Sequence, residues 1–290
     1  MTLTASILIP AFNRAGALRK TLATIVPLCP EDVTILVVDD CSATPDVRLL
    51  VSSYEGRVAY ARTPTNIGVI GARNFGYRLT SSDIVFHLDD DSYFVDVEFI
   101  PRSLAFFSER PRAGVLAFNI RQEPRGLAWA SSLAPFEAFS YPGGGCAWRR
   151  LAIEAAQPYY PGFWRQGEET EHTLRVYDSG WEVWAMPNQL VAHDESPINR
   201  HPRTHKSLAS ANYLKRVILR APLRHLPVAA ARWLGFTVVH LRSLSLTMLL
   251  RELAHKDRGI AATMRDRVPI LPATYRRVDA IRLAQKRIMR

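Results

Sequence analysis

Three consecutive aspartates, Asp89 to Asp91, directly follow the apolar run 84–88. Carboxylates this close repel one another, so a folded chain tolerates them best beside a compensating cation. Mg²⁺ and Mn²⁺ are hard cations that favour carboxylate oxygens. In an extended segment, Asp89 and Asp91 would point to one side and Asp90 to the other. The triplet therefore indicates a divalent metal site, with a solvated acidic turn as the alternative.

A second acidic cluster, Asp39–Asp40, ends the apolar run 33–38 in the same way. An aspartate at a strand end can accept hydrogen bonds from a nucleobase imide or a ribose hydroxyl. Between the two clusters, residues 66–74 include Gly71, which permits close backbone approach at a helix start, and Arg73, which adds a positive charge. The glycine spacing matches neither a dinucleotide fingerprint nor a P-loop.

The elements that would position these residues alternate between strands and helices, which predicts a largely parallel α/β sheet. Ligands bind beyond the carboxyl ends of the strands in such sheets, so both acidic clusters should face one crevice. Asn13 is predicted to cap the first helix. The predicted strands are residues 6–9, 33–38, 58–60, 84–88, 115–119 and 181–186; the predicted helices lie near 18–25, 70–79, 150–156 and 168–177, and 142–145 is a predicted turn.

The net charge of +10 is concentrated at one end of the chain. Residues 1–215 contain 21 basic and 23 acidic residues, whereas residues 216–290 contain 16 basic and 4 acidic ones. We therefore predict a first domain at 1–215 and a basic region at 216–290 that is helical and broken by Pro222 and Pro227. Basic, apolar helices can lie on an anionic membrane, so peripheral membrane contact is one interpretation. A structural cap or a homo-oligomer interface is the alternative, and the sparse aromatic residues argue against nucleic acid.

The start of the chain lacks the basic and apolar segments of a signal peptide, and no apolar run is long enough to span a bilayer. Cys29, Cys41 and Cys146 are odd in number and widely separated, which fits neither a disulfide framework nor a zinc site. We expect a cytoplasmic protein, with peripheral membrane contact left open.

Four segments in order strongly resemble family 2 glycosyltransferases of the GT-A fold: ILIPAFNR (7–14), VVDDCS (37–42), NIGVIGARNFG (66–76) and LDDD (88–91). The likeness continues with GGGCAWRR (143–150), where these enzymes have a glycine-rich stretch near the acceptor, and GEETE (167–171), where they carry an acidic pair. It covers about 200 of the 290 residues. The resemblance implies a Rossmann-like α/β fold with a nucleotide-sugar half at about 1–110, an acceptor half at about 111–215 and a helical C-terminal extension.

The resemblance also implies roles for individual residues. Glu169 matches the catalytic base, but the family usually has Glu-Asp there, so Glu168 stays open as the base. Both could instead belong to a charged first helical turn. Asp89 and Asp91 match the outer members of the DxD metal motif, with Asp91 the preferred ligand. His193 stands where the family often has a histidine near the metal or diphosphate, although a lone histidine is more often structural. The residues expected at the nucleotide are Pro10, Phe12, Arg14, Asp39, Asp40 (on the base), Asn66, Gly71, Arg73 and Asp90.

The implied activity is that of a hexosyltransferase-like enzyme that moves a sugar, with inversion, from a UDP-, dTDP- or GDP-sugar to an acceptor hydroxyl, using Mg²⁺ or Mn²⁺. The acceptor would be a carbohydrate, a lipid-linked glycan or a small molecule. Trp164, Trp181 and Trp184 could stack on sugars or fill the core. A nucleotidyltransferase with a related core is one alternative, although residues 10–16 match its basic triphosphate loop poorly. A processive synthase would normally carry membrane spans, and a non-catalytic carbohydrate- or nucleotide-binding protein is the remaining alternative.

Overall fold

The structure is a computed structural model that describes residues 3–54, 56–122, 126–194 and 202–288. The strands in these residues are β1 (Ala5–Ala11), β2 (Thr34–Asp39), β3 (Val58–Arg62), β4 (Ile84–Leu88), β5 (Ser92–Tyr93), β6 (Ala113–Gln122), β7 (Gly126–Leu127), β8 (Phe136–Glu137), β9 (Gly145–Arg149) and β10 (Glu182–His193). The α-helices are α1 (Ala15–Ile25), α2 (Asp46–Ser52), α3 (Gly68–Leu79), α4 (Phe99–Glu109), α5 (Arg150–Ala156), α6 (Glu168–Asp178), α7 (Pro202–Arg220), α8 (Leu226–Val239), α9 (Leu246–Leu253), α10 (Ile260–Arg265) and α11 (Pro272–Ile288).

The strands form one sheet in the order β3-β2-β1-β4-β9-β6-β10-β5, with β7 beside β6 and β8 beside β10. β3, β2, β1 and β4 are parallel neighbours, and β6 is parallel to β10. β9 runs antiparallel between β4 and β6 and is absent from the predicted strands. The prediction of a mostly parallel sheet flanked by helices is confirmed.

The side chains of β1 alternate between two buried apolar clusters on opposite faces of the sheet. Ile7 and Ile9 belong to the cluster that contains Leu18 of α1, whereas Leu8 belongs to the cluster that contains Ile70 of α3. Because helices cover both faces, every residue of β1 is buried, which explains its continuous apolar sequence.

Helix α3 approaches the sheet closely because one of its residues has no side chain. A Cβ added at Gly76 would lie 2.2 Å from the Leu8 Cδ1 atom and 2.8 Å from the Val38 Cγ2 atom. Only glycine permits this separation, so the first turn of α3 lies beside the carboxyl ends of β1 and β2.

A buried ion pair joins the C-terminal helices to the rest of the fold. The Glu171 carboxylate of α6 is fully buried and accepts two hydrogen bonds from Arg175, each 2.8 Å long, and one of 2.6 Å from Arg220 of α7. Burial acts to raise the pKa of Glu171, but the two guanidinium groups outweigh burial and lower the pKa to about 2. The predicted boundary between residues 215 and 216 lies inside α7, and the division there stays a prediction.

The C-terminal region is helical, as its sequence predicts. Pro222 lies between α7 and α8, whereas Pro227 occupies the first turn of α8, where its missing N–H leaves no helical hydrogen bond unmade. We expected Pro227 to break the helix, and that expectation was wrong. None of the helices in the described ranges combines the length and apolar character needed to cross a bilayer.

We predict that Glu171→Gln lowers the free energy of unfolding by about 3 kcal/mol at pH 7, because it leaves two buried guanidinium groups without their carboxylate. Since the folded pKa of about 2 lies below the ordinary value of 4.5, this stabilisation is present above pH 4.5 and is lost as the pH falls towards 2. Denaturant unfolding between pH 7 and pH 3 measures it. The control is Glu109→Gln, at an exposed glutamate. Equal unfolding free energies for the two variants would contradict the prediction.

Candidate active site

A cleft of about 490 Å³ opens at the carboxyl ends of β1, β2 and β4, beside the first turns of α3 and α6. Asp39, Gly71 and Asp91 lie outside its lining. The predicted site residues that line it are Pro10, Phe12, Arg14, Asp40, Asn66, Arg73, Asp89, Asp90, Glu168, Glu169 and His193. Both acidic strand ends therefore reach one cleft, as expected where parallel strands end together.

Asp39 is fully buried and holds the end of β2 to its surroundings. Its Oδ1 atom accepts a 2.8 Å hydrogen bond from the Ser42 backbone N–H, and its Oδ2 atom accepts 2.7 Å bonds from Tyr60 and Arg62. Burial acts to raise the pKa of Asp39, and the hydrogen bonds outweigh it, so the pKa is lowered. A direct nucleotide contact for Asp39 stays a prediction, and these protein partners do not favour it.

Asp40 contributes a carboxylate to the cleft wall. Its Oδ1 atom accepts 2.9 Å hydrogen bonds from the Thr63 hydroxyl and from the Ile67 backbone N–H, and Asn66 donates to its carbonyl oxygen at 3.3 Å. Burial raises the pKa of Asp40. These bonds fix the orientation of the carboxylate at the point where the chain enters α3.

The predicted helix cap at Asn13 was wrong. The residue adopts a left-handed conformation (φ 55°), and its side-chain oxygen accepts a 2.7 Å hydrogen bond from the Ala43 backbone N–H. Its own backbone N–H donates to the Ser42 hydroxyl at 2.9 Å. Asn13 therefore ties the loop after β1 to the loop after β2 rather than starting α1.

Two arginines from different parts of the chain form ion pairs with the acidic triplet. Arg14, which precedes α1, pairs with Asp90 at 2.8 Å and also with Asp91. Arg73 of α3 pairs with Asp89. Burial acts to raise the pKa of Asp91, but His193 and Arg14 outweigh burial and hold the pKa well below its usual range. Each carboxylate of the triplet is thus paired with a guanidinium group of the protein itself.

Three side chains form a group that could hold a metal ion. Ligand atoms of Asp89, Asp91 and His193 all lie within 4.8 Å of one another, and the His193 Nε2 atom is 3.2 Å from Asp91. The antiparallel pairing of β10 with β5 sets His193 opposite Ser92. Two carboxylates and an imidazole are a donor set that suits Mn²⁺ or Mg²⁺. Gly71 of α3 does not belong to this group. A Cβ added there would lie 2.9 Å from the side chain of Ile67, the residue before the helix.

Two adjacent glutamates begin α6 on the opposite wall. Glu168 is almost fully buried, with its Oε1 atom 3.8 Å from Arg73, and burial raises its pKa to about 8. Glu169 is only half-buried, and its Oε1 atom accepts a 3.2 Å hydrogen bond from the Gly143 backbone N–H. Burial raises the pKa of Glu169 as well. The dipole of α6 acts in the opposite direction, since a helix N-terminus favours ionised carboxylates.

The glycine-rich segment before β9 brings backbone into contact with these charges. A Cβ at Gly143 would lie 2.5 Å from an Arg73 nitrogen and 2.9 Å from a Glu169 oxygen. A Cβ at Gly144 would lie 2.3 Å from an Asp89 oxygen. A side chain at Gly143 would displace the Arg73 guanidinium or the Glu169 carboxylate, and one at Gly144 would displace the Asp89 carboxylate.

Trp164 lines the cleft, 37% exposed, with its indole ring over Gly68 at the start of α3. Trp184 instead packs on Phe106, and Trp181 lies outside the cleft lining. The cleft lining also includes His205 of α7, which the sequence analysis missed. No sequence motif indicates this histidine, because only the tertiary placement of α7 brings it to the cleft.

A known protein family matches about half of this chain. The sequence profile described as "Glycosyl transferase family 2" matches residues 6–154. An uncharacterized glycosyltransferase of Haemophilus influenzae is 33% identical over 91 residues, which are 31% of this chain and 30% of that protein. The match therefore spans less than a third of that relative's length.

Two solved structures share the fold. S. aureus TarS 1-349, in complex with UDP-GlcNAc, has a TM-score of 0.65 at 14% identity, over 96% of this chain and 84% of that chain. The mannosyltransferase PcManGT from Pyrobaculum calidifontis, in complex with GDP-Man and Mn²⁺, has a TM-score of 0.61 at 16% identity, over 98% of this chain and 81% of that chain. The likeness to these two chains confirms the predicted GT-A fold.

We predict that Asp91→Asn weakens Mn²⁺ binding at least about tenfold, because it removes a charged ligand atom from the metal group. Isothermal titration with Mn²⁺ in the presence of UDP measures the change. Asp90→Asn is the matched control, since Asp90 belongs to the same triplet but not to the metal group. Equal weakening by the two substitutions, or unchanged binding in Asp91→Asn, would refute the assignment.

Proposed function

The chain belongs to glycosyl transferase family 2, and from that premise we propose that it transfers a sugar from a nucleotide sugar to an acceptor hydroxyl with inversion at the anomeric carbon. The observation that carries the proposal is that the Asp40 carboxylate and the half-buried Glu169 line one cleft together with two members of the metal group, Asp89 and His193. Family membership favours glycosyl transfer over the nucleotidyltransferase alternative and over a non-catalytic binding protein.

The nucleoside half of the donor would occupy the wall formed by Pro10, Phe12, Asp40 and Asn66. Phe12 offers an aromatic face for the base, and the Asp40 carboxylate can accept a hydrogen bond from a base N–H or a ribose hydroxyl. UDP-, dTDP- and GDP-sugars all carry such donors. The UDP-GlcNAc and GDP-Man bound in the two structural relatives are examples of this substrate class.

Asp89, Asp91 and His193 would hold Mg²⁺ or Mn²⁺, which would supply positive charge to the leaving diphosphate. Arg14 and Arg73 lie at the same edge of the sheet. Their planar guanidinium groups suit phosphate oxygens, so each arginine can exchange part of its carboxylate pairing for a phosphate contact. A divalent cation that enters with the diphosphate would offset its two negative charges.

Glu169 would act as the base. Its carboxylate is less buried than that of Glu168 and is held towards the cleft by the Gly143 N–H. Glu169 would remove the acceptor hydroxyl proton while the oxygen attacks the anomeric carbon and the bond to the diphosphate breaks. Attack opposite the leaving group inverts that carbon. Glu168 is buried beside Arg73, which fits a role in positioning the arginine.

Trp164 lies on the wall that the sugar rings would face. An indole ring can stack on the apolar side of a pyranose ring, and here the Arg258 guanidinium lies 5.4 Å from the ring centroid. Gly68 supports the ring from behind, since a Cβ there would lie within 3.2 Å of the indole. This placement favours a carbohydrate acceptor or donor sugar as the occupant of that side of the cleft.

We predict that Glu169→Gln lowers the turnover rate of donor hydrolysis, a reaction that needs no acceptor, by about 10²- to 10⁴-fold with little change in donor affinity. The amide cannot take the proton of the attacking water, but it keeps the size of the side chain. Release of nucleoside diphosphate at varied donor concentration gives both quantities.

Glu168→Gln is the matched control for the adjacent position. We expect a smaller loss, because its carboxylate does not act on the acceptor. A full loss in Glu168→Gln with near-normal turnover in Glu169→Gln would reverse the assignment. Proton NMR of the freshly released sugar should show the anomer opposite to that of the donor, and a retained configuration would contradict the inverting mechanism.

A further inference from the structure

Helix α8 presents an apolar face to solvent. Its 14-residue sequence, LPVAAARWLGFTVV, contains a single charged residue, Arg232. The exposed fractions of Leu234, Val238 and Val239 are 55%, 60% and 79%. A helix on the surface of a globular protein normally turns polar residues to water. The exposed residues of α8 are Pro227, Val228, Ala230, Ala231, Arg232, Leu234, Gly235, Val238 and Val239.

The opposite side of α8 is fixed to α7, so the exposed face is not a misplaced core face. The Trp233 indole N–H donates to the Ser210 carbonyl at 2.9 Å, and the hydroxyls of Ser210 and Thr237 are 2.8 Å apart. Phe236 packs against Tyr213 with ring centroids 5.7 Å apart. Rotation of α8 about its axis would break these contacts.

The charged residues near this face in the sequence are all basic. Residues 216–251 contain six arginines and neither aspartate nor glutamate. Arg224 precedes α8, Arg242 follows it, and both are exposed. Arg232 is held to one side by Asp279 of α11 at 3.0 and 3.1 Å. The apolar face is therefore bounded at both ends by an exposed arginine.

We propose that α8 docks this protein on an anionic membrane, with the helix lying in the plane of the interface. The exposed aliphatic side chains would enter the boundary between headgroups and acyl chains, while Arg224 and Arg242 contact anionic headgroups. At about 21 Å, α8 is too short to cross a hydrocarbon core of about 30 Å.

Docking through α8 would bring the cleft close to the lipid surface. Helix α7 contacts α8 through Ser210 and lines the cleft through His205, five residues or about 7.5 Å away along its axis. This location suits an acceptor hydroxyl carried on a lipid. That consequence rests on the proposed function, whereas the docking itself does not.

Flotation of the full chain with vesicles tests the proposal. Vesicles of phosphatidylcholine with about one third phosphatidylglycerol should carry the protein upward at low salt, and phosphatidylcholine alone should not. Binding should fall as salt rises. The triple variant Leu234→Gln, Val238→Gln, Val239→Gln should bind at least about tenfold more weakly, because the apolar insertion is lost. Arg224→Gln with Arg242→Gln should weaken binding to the anionic vesicles several-fold.

The matched control replaces two leucines of similar exposure on other helices, Leu49→Gln with Leu151→Gln, at 61% and 63% exposed. It should float like the unmodified chain, and every variant should keep the same slow donor hydrolysis in solution. Absent flotation of the unmodified chain, or equal flotation of the triple variant and the control, would overturn the proposal. So would a dimer in sedimentation velocity that the triple variant dissociates without any vesicle binding, since the face would then join two copies.

Discussion

Repulsion between carboxylates gathered at one edge of the sheet is the constraint on which the rest of this structure depends. Asp39 and Asp40 end β2, the triplet 89–91 ends β4, and α6 adds a glutamate pair from the opposite wall. At separations of a few ångströms in a partly dry cleft, each such contact costs several kcal/mol unless it is compensated. The fold must therefore supply cations at fixed positions.

Each compensating arginine comes from a different element. Arg62 at the end of β3 pairs with Asp39, Arg14 before α1 pairs with two members of the triplet, and Arg73 of α3 pairs with Asp89. The placement of Arg73 in turn requires Gly76, which lets α3 approach the sheet. Packing and charge are thus coupled, and Arg14 and Arg73, which pair with the triplet, also line the cleft and are available to phosphate oxygens.

The sequence could predict this edge because its signals are local. Continuous apolar runs identify strands covered on both faces, and acids at their ends must then meet in one crevice. The different environments of Asp39 and Asp40 could not be predicted, since they depend on Tyr60, Thr63 and Ile67 from elsewhere in the chain. β9 was not predicted, because the glycine-rich residues 143–145 at its start are typical of a turn. Asn13 matched the pattern of a helix N-cap, but its side-chain oxygen instead accepts a hydrogen bond from the backbone N–H of Ala43, 30 residues away.

The central claim is that this cleft is a donor site for a nucleotide sugar and a divalent cation. A panel of UDP-, dTDP- and GDP-sugars incubated with the purified chain tests it most directly, with release of the nucleoside diphosphate as the readout. The account predicts release from at least one donor in Mn²⁺ or Mg²⁺ and little release in excess chelator. Release that is equal with and without chelator, or no release from any donor with either cation, would contradict it.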